Sequence, residues 1–485
     1  MENKNFSHQA KFAAENFMEN PVKRIHFIAI GGAAMHNLAL ALHQKGFMIS
    51  GSDDEINEPS FSRLKNAGLL PGTMGWFPEK ITTALDAVIL GMHARADNPE
   101  LLRAQQIGVK IYSYPEYLYE FSKHKLRVVI GGSHGKTTIT AMILHVLQLN
   151  NVDFNYMVGA KLEGFETMVR LTEKAPVIVL EGDEYLSSPI DRRPKFHLYH
   201  ADIALLSGIA WDHINVFPTY AEYVKQFQIY VDQIPPGGTV IYCANDPEVV
   251  KVIENTSSYC KKVAYSIPPH RIARGVSWLP YPENVPPANQ TALQVFGDHN
   301  LMNLQGAKEV CSLLGISDEN FYRAIASFKG AARRLEKLGE NESLTVFKDF
   351  AHSPSKLKAT IEAVKKQFPE KKIIACMELH TFSSLTENFL SEYSGSMSHA
   401  DEAIVYFNPH TIAHKKLKPV SENQVKDAFN RKDLVIFTES EKLREYLQEK
   451  KYENAVLLMM SSGNFDGINL EIFSTDLLGK SKVKV

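Results

Sequence analysis

Cysteine is scarce: Cys243, Cys260, Cys311 and Cys376 are the only four in 485 residues, and no two form a C-x-x-C pair. That argues against a disulfide framework and a cysteine-rich metal site, and for buried thiols in a reducing compartment. No excess of charge of either sign exists, since 53 Lys and Arg against 55 Asp and Glu leave a formal charge of −2. The chain lacks the basic footprint of a nucleic-acid or anionic-membrane binder. Long apolar runs are also missing. The longest, such as Ala87–Leu90 and Ala455–Met460, are strand-sized, against the ~20 residues a bilayer-spanning helix needs. The first 22 residues are polar and mixed in charge, with no apolar core of signal-peptide length. The expectation is a soluble, cytoplasmic protein with no nucleic acid and no membrane among its partners.

What is present is the material for several cores. Hydrophobic residues make up 44% of the chain, and its length fits about three domains. Three times the sequence restarts with one grammar: a short apolar run, a glycine-rich or polar turn, then a helical pattern. Residues 25–30 lead through Gly31-Gly32 to an amphipathic stretch over 34–45. Residues 128–130 lead through 131–135 to a helix over 137–149. Residues 344–347 lead through 349–354 to a helix over 355–367. Apolar runs alternating with helical segments predict β-α-β units in mainly parallel sheets. In such folds the loops that leave strands and open helices bind ligands. The junctions fall near 118–125 and 331–336. The Pro- and Asn-rich stretch 268–290 reads as a long surface connection inside the middle region.

The strongest local signal is Gly132-Ser133-His134-Gly135-Lys136-Thr137-Thr138, directly after an apolar strand. Backbone N–H groups in such a loop, with a helix N-terminus behind them, cradle phosphate oxygens. Lys136 is placed to meet the β- and γ-phosphates, and the Thr137 hydroxyl to bind magnesium. Ile130 stands where a strict Walker loop has its first glycine. Glu181-Gly182-Asp183-Glu184 follows another buried-looking strand, where acidic groups are suited to holding magnesium. Asp212-His213 follows a third strand. Near the start, Gly31-Gly32-Ala33-Ala34 with Asp53 downstream resembles a dinucleotide loop with Ala29 and Ala34 in glycine positions, a kind of loop that can hold any diphosphate, including that of a UDP-sugar. Asn300 and Asn303 lie three apart on a helix, where their amides share a face and can read a purine edge. Arg333 and Arg334 offer guanidinium groups for phosphate or ribose.

Together and in this order, these motifs resemble the Mur ligase family of ATP-dependent amide-forming enzymes. Its phosphate loop G-T-x-G-K-S/T is met by residues 132–137, its E-x-D-E by 181–184 and its D-H by Asp212-His213. Its G-x-H-N-x-x-N, R-R-x-E and D-Y/F-A-H-x-P are met by 297–303, 333–336 and 349–354. Residues 26–35 and Ser50-Gly51-Ser52-Asp53 are similar to the branch that binds UDP-N-acetylmuramate. Within that branch, some members add L-alanine and others the tripeptide L-alanyl-γ-D-glutamyl-meso-diaminopimelate. Tyr185, the stretch 191–196 and the stretch 460–467 resemble the tripeptide-adding kind. The sequence departs from the family at Ala210, at Lys348, and at Thr381, where relatives carry an arginine after the third-domain strand.

The resemblance implies an α/β, three-domain architecture. Residues 1–124 are a Rossmann-like UDP-sugar domain, 125–332 a P-loop-type central ATPase domain, and 333–485 a Rossmann-like acceptor domain. The implied reaction joins the lactyl carboxylate of UDP-N-acetylmuramate to the acceptor amine through an acyl phosphate, with ATP and two magnesium ions. Implied catalytic residues are Lys136, Glu181 and His213, with Thr137, Glu181 and His213 holding metal. ATP is implied to meet Gly132, Ser133, His134, Gly135, Lys136, Thr137, Thr138, His299, Asn300, Asn303, Arg334 and Asp349. The UDP-sugar is implied to meet Gly31, Gly32, Ala33, Ala34, Met35, Ser52, Asp53 and His93. Three other classes compete: a nicotinamide-dependent oxidoreductase using the first glycine turn, a P-loop kinase or regulator, and a UDP-sugar-binding protein that no longer ligates.

Overall fold

The computed structural model describes residues 24–211, 216–279, 290–330 and 335–480. By its internal contacts the chain forms two compact units. The first takes in the chain up to Ser266 together with Met302–Ile325; the second takes in Ile267–Leu301 and the chain from Ala326 onward.

The first unit carries two sheets. In the smaller, β1 (Arg24–Ile28), β2 (Met48–Ser52), β3 (Ala87–Leu90) and β4 (Ile111–Ser113) are all parallel, in the order β2-β1-β3-β4. Helix α1 (Ala33–Gln44) makes the first crossover, and α2 (Pro99–Ile107) follows β3. Asn98 caps α2 by accepting from the N–H groups of Glu100 and Leu101, Pro99 sits in the first turn, and Gly108 ends the helix at φ +74°. Strand β1 lies between β2 and β3, with Ile28 in register with both Ser52 and Leu90. Chain order reverses there, so the loops after all three strands open on one crevice. Under this sheet His26 and Glu100, both wholly buried, face each other at 3.1 Å. Ser50 Oγ holds the other nitrogen of the ring at 2.9 Å, and Phe77 N donates to Glu100 Oε1 at 2.7 Å. The buried polar pair is thereby satisfied on every side.

The larger sheet runs β11-β10-β9-β5-β8-β6-β7. Its strands are β5 (Leu126–Gly131), β6 (Phe154–Met157), β7 (Val169–Arg170), β8 (Val177–Glu181), β9 (Ile203–Leu206), β10 (Thr239–Cys243) and β11 (Lys261–Tyr265). Only the edge strand β7 is antiparallel. Strands β8 and β9 are buried at every position, as expected of parallel strands covered on both faces. Helix α3 (Lys136–Leu149) follows β5, the short α4 (Lys195–Leu198) follows β8, and α5 (Tyr220–Asp232) follows β9. Helix α5 opens on a capping box between Thr219 and Glu222 and buries Tyr223, Phe227, Tyr230 and Val231. That spacing of three and four residues is one helical face. Each such side chain contributes on the order of 2 kcal/mol of burial.

The second unit holds a six-stranded sheet, β15-β16-β20-β17-β18-β19. Its strands are β15 (Glu336–Glu340), β16 (Leu344–Asp349), β17 (Lys372–Leu379), β18 (Glu402–Phe407), β19 (Val435–Phe437) and β20 (Ala455–Met460). All pairs are parallel except β15 with β16. The stretch expected to be a surface connection is a correction. Its described part holds β12 (Arg271–Ala273) and β13 (Val276–Leu279), which pair with each other, and β13 also pairs with β14 (Thr291–Leu293) in a small antiparallel sheet of the second unit; residues 280–289 lie outside the described residues. The left-handed Arg274-Gly275 turn makes that hairpin. Helix α6 (Asp298–Leu313) follows, and α7 (Pro354–Gln367) follows β16. The four cysteines are free and buried. No helix among the described residues is long and apolar enough to cross a membrane.

Candidate active site

The phosphate-type loop leaves β5 at the centre of the larger sheet. Ile130 is in register with Glu181 on β8, and Gly131 with Leu206 on β9. The two neighbours therefore deliver residues 181–184 and 207–210 to either side of the loop. Gly132 and Gly135 have φ of +127° and +77°, a region open to glycine at little cost. A Cβ on Gly132 would lie 2.9 Å from Ser207 N and against its hydroxyl; one on Gly135 would meet the Asn303 amide. The loop after β9 laces the phosphate loop in place. Ser207 N donates to Gly131 O at 3.1 Å, Ser133 N to Gly208 O at 2.9 Å, and Ala210 N to Ser133 Oγ at 2.9 Å. Helices α1 and α3 open on glycines without a side-chain cap. Their first N–H groups are thus left for an outside anion.

Charge converges on this loop. Lys136 Nζ donates to Gly132 O at 2.6 Å and to Glu184 Oε2 at 2.7 Å. Burial alone would lower the lysine's pKa, but Glu184, Asp183 and Glu181 outweigh it and hold the ammonium above its ordinary range. The Tyr223 hydroxyl lies 2.8 Å from Ser133 Oγ and donates to Glu184 Oε1 at 3.3 Å. Thr137 Oγ1 donates to Glu181 Oε1 at 2.7 Å, and Gly159 N to Glu181 Oε2 at 2.7 Å. Burial raises the Glu181 pKa in spite of those bonds. Asp183 is also penalised by burial, yet Lys195, 2.9 Å away, and Lys136 hold its pKa below the usual range.

The expected metal donors are thus Thr137 and Glu181 in direct contact. Both offer oxygen, and Glu181 is a buried carboxylate whose charge is undercompensated. A hard divalent cation fits that chemistry. Among the described residues no group of three or more acidic, His or Cys side chains is placed to hold a metal. His213 and Arg334 lie outside the described residues. Of the other nucleotide residues expected from the sequence, His134 is exposed and Thr138 is buried in the first turn of α3. Asn303 sits over the phosphate loop through Gly135. Asn300 is tied to its own helix start by donating to Phe296 O at 2.9 Å, and His299 is exposed. Asp349 ends β16 and organises its loop, accepting from Leu335 N at 2.6 Å and Ala351 N at 2.8 Å.

The crevice of the smaller sheet gathers the expected UDP-sugar residues. Ala29 adopts φ +66° in the glycine position noted above. Asp53 Oδ2 accepts from Gly31 N at 2.7 Å, and burial raises the Asp53 pKa. A Cβ on Gly32 would stand 3.4 Å from Met35 and 3.6 Å from the ring of His93, which is exposed. Ala33 and Ala34 open α1. Ser52, wholly buried, accepts from Lys80 Nζ at 3.2 Å.

Sequence reasoning did not assign roles to Lys80, Lys195 or Tyr223, and it read Glu184 only within an acidic motif suited to magnesium, not as the partner of Lys136. Glu184 carried a signal, since it closes the acidic motif. Lys80 and Tyr223 carried none, because their partners lie 28 and at least 39 residues away in the chain.

Comparison with known proteins supplies the lineage. The Mur ligase catalytic, middle and glutamate ligase domains match residues 24–126, 130–311 and 333–463 in turn. The UDP-N-acetylmuramate–L-alanine ligase of Clostridium kluyveri is 31% identical over 400 residues, covering 80% of this chain and 84% of that protein. The enzyme of the same name from Clostridium acetobutylicum is 30% identical, covering 91% and 95%. Among solved structures, the murein peptide ligase of Psychrobacter arcticus superposes with a TM-score of 0.60 at 21% identity, covering 96% of this chain and all of that one. The UDP-N-acetylmuramate–alanine ligase of Thermotoga maritima gives 0.67 at 21% identity, covering 95% and 99%. Those two likenesses are of fold. The chain belongs to the Mur ligase family, ATP-dependent ligases that form amide bonds in peptidoglycan synthesis.

Proposed function

We propose that this Mur ligase joins the lactyl carboxylate of UDP-N-acetylmuramate to the amine of L-alanyl-γ-D-glutamyl-meso-diaminopimelate, in the cytoplasm, as a step of peptidoglycan recycling. The observation that carries the acceptor assignment is the edge of the third sheet. There the loop at 461–467, similar in sequence to the tripeptide-adding kind, is built onto Glu378 through Phe465 N at 2.8 Å. Thr381 stands where other relatives place an arginine. A second reading, with free L-alanine as acceptor, is favoured by the two Clostridium relatives named above, which carry that name.

A carboxylate and an amine do not condense in water, because the carboxylate is a poor electrophile. In the proposed route the donor carboxylate attacks the γ-phosphate of ATP, the bond to the β,γ-bridging oxygen breaks, ADP leaves and the carboxylate becomes an acyl phosphate. The acceptor amine then attacks the carbonyl and phosphate leaves. The protein's part is positioning and charge neutralisation. Lys136 neutralises the transferring phosphate, and leaves Glu184 to do so. Backbone N–H groups of residues 132–137 hold the phosphate oxygens. Magnesium, when bound, supplies charge neutralisation at the phosphates, and Thr137 and Glu181 are the described residues suited to hold it, with His213 implied for a second ion. Asn303 beside Gly135 faces the nucleotide, and residues 29–35, 52–53, Lys80 and His93 receive the UDP-sugar. Residues 333–485 take the acceptor.

A competition experiment tests the assignment. With ATP, magnesium, UDP-N-acetylmuramate and both acceptors present, the product mass should be that of the tripeptide adduct. An L-alanine adduct alone would overturn the acceptor assignment and leave the ligase chemistry standing.

A further inference from the structure

The first crossover helix carries two buried polar side chains in succession. His36 and Asn37 of α1 are 1% and 0% exposed. An apolar pair would suffice to pack that helix, whereas a buried polar group must replace the partners it loses from water. These two do so at every polar atom.

The Asn37 amide faces two ways. Its Nδ2 donates to Ala33 O at 2.8 Å and to His36 Nε2 at 2.9 Å. Its Oδ1 accepts from Met168 N and from an Arg63 guanidinium nitrogen, each at 3.2 Å. Those donors and acceptors assign the two ends of the amide. They also assign the imidazole. Since Nε2 accepts, Nδ1 carries the proton and donates to Gly32 O at 2.9 Å, with Ser60 Oγ 3.0 Å away. Burial lowers the His36 pKa and so favours that neutral ring.

Each arm of the amide ends at a different site. One arm holds the carbonyls of Gly32 and Ala33, in the turn proposed above for the UDP-sugar. The other runs through Met168, just ahead of β7. Met168 O accepts from Val158 N at 3.0 Å, and the next residue, Gly159, gives its N–H to Glu181 Oε2 at 2.7 Å. A Cβ on Gly159 would stand 3.2 Å from that same oxygen, so the backbone there bears directly on the carboxylate. Glu181 Oε1 in turn accepts from Thr137. All of these residues belong to the first compact unit.

We propose that Asn37 is a positioning residue that sets the UDP-sugar turn and the magnesium carboxylate together; this rests on the ligase reading above. A metal-holding carboxylate is oriented by the groups that bond it from behind, and the Gly159 N–H is such a group. Where that N–H points depends on the chain beside β6 and β7, and Asn37 pins this chain to α1. A buried polar network with every partner present fixes one arrangement of the elements it joins, where an apolar contact would let them slide. Being wholly buried, Asn37 acts through the backbone and not by touching either ligand.

Steady-state ADP release by the full chain tests this, with ATP, the tripeptide and L-alanine in excess and with magnesium and UDP-N-acetylmuramate titrated separately. Asn37→Leu keeps the side-chain volume and removes both arms. It should raise the half-saturating magnesium and the donor KM each about tenfold, with kcat at saturation within about threefold of wild type. Asn37→Asp keeps the oxygen that holds Met168 N and loses the Nδ2 donor. It should raise the donor KM by a similar factor and leave the magnesium requirement within about threefold. A donor KM that rises alone in Asn37→Leu would confine the residue to the UDP-sugar crevice and overturn the inference. So would a lower melting temperature with both constants unchanged, which is what a merely structural residue gives. An unchanged donor KM in Asn37→Asp overturns it too, whether or not Asn37→Leu folds. Wild type whose ADP release ignores the donor would instead sink the ligase reading beneath it.

Discussion

Lys136 Nζ and Glu184 Oε2 stand 2.7 Å apart, with the lysine side chain 12% and the glutamate 2% exposed. The lysine proposed to meet phosphate is therefore already neutralised by the protein. A nucleotide has to draw it from Glu184 and from the Gly132 carbonyl. Lys136→Ala removes the group that follows the moving charge, and turnover should fall at least ~100-fold. Steady-state ADP release checks this, and near-normal turnover would remove Lys136 from the mechanism.

The partner should matter in a different way. Glu184 also joins Tyr223, which joins Ser133 of the phosphate loop. Tyr223→Phe deletes one hydroxyl and keeps the ring that packs on Phe217 and Phe227. Its cost in stability should be about 1 kcal/mol, with ATP affinity lowered several-fold. Calorimetric titration with ATP and a denaturant melt separate the two. Unchanged ATP affinity would show that the loop does not depend on this relay.

Gly132→Ala tests the loop's backbone. At φ +127° with Ser207 N in the way, an added methyl forces either the loop or the strand end to move, at roughly 1–3 kcal/mol of strain. ATP binding should be lost while the fold persists. Retained binding would mean that the loop rearranges without cost.

Glu100 gives a pH prediction. Burial would raise its pKa, but hydrogen bonds from His26, Ser52 and Phe77 more than offset this and hold it below the ordinary value. A depressed folded-state pKa means the stabilisation is present above the unfolded value, near 4.3, and is lost as pH falls through the folded one. Urea melts should therefore show stability falling on the acid side of about pH 4. In Glu100→Ala that acid-side slope should be smaller and stability at pH 7 lower by about 3 kcal/mol. An unchanged slope would contradict the account of the pair.

Much of this was legible in the sequence. The three strand–turn–helix openings appear at Arg24–Ile28, Leu126–Gly131 and Leu344–Asp349, within a few residues of where apolar period and turn residues put them. The phosphate loop and the acidic motif were legible because local chemistry defines both. The hairpin at Arg271–Leu279 was missed, since its strands are short and partly exposed and proline-rich sequence surrounds them. Tyr223 looked like one more aromatic on a buried helical face, and only the tertiary fold shows what its hydroxyl meets. Glu378 carried no signal in the sequence, since its bond to Phe465 N spans 87 residues. Pairings across such distances are set by sheet order, which local patterns do not encode.

The most direct measurement is ADP release by the purified chain with ATP, magnesium and UDP-N-acetylmuramate, with the tripeptide or L-alanine supplied separately. The account predicts release that requires magnesium, the donor and the tripeptide together, and little or none with L-alanine. Release that ignores the donor, or that L-alanine alone supports, would contradict it.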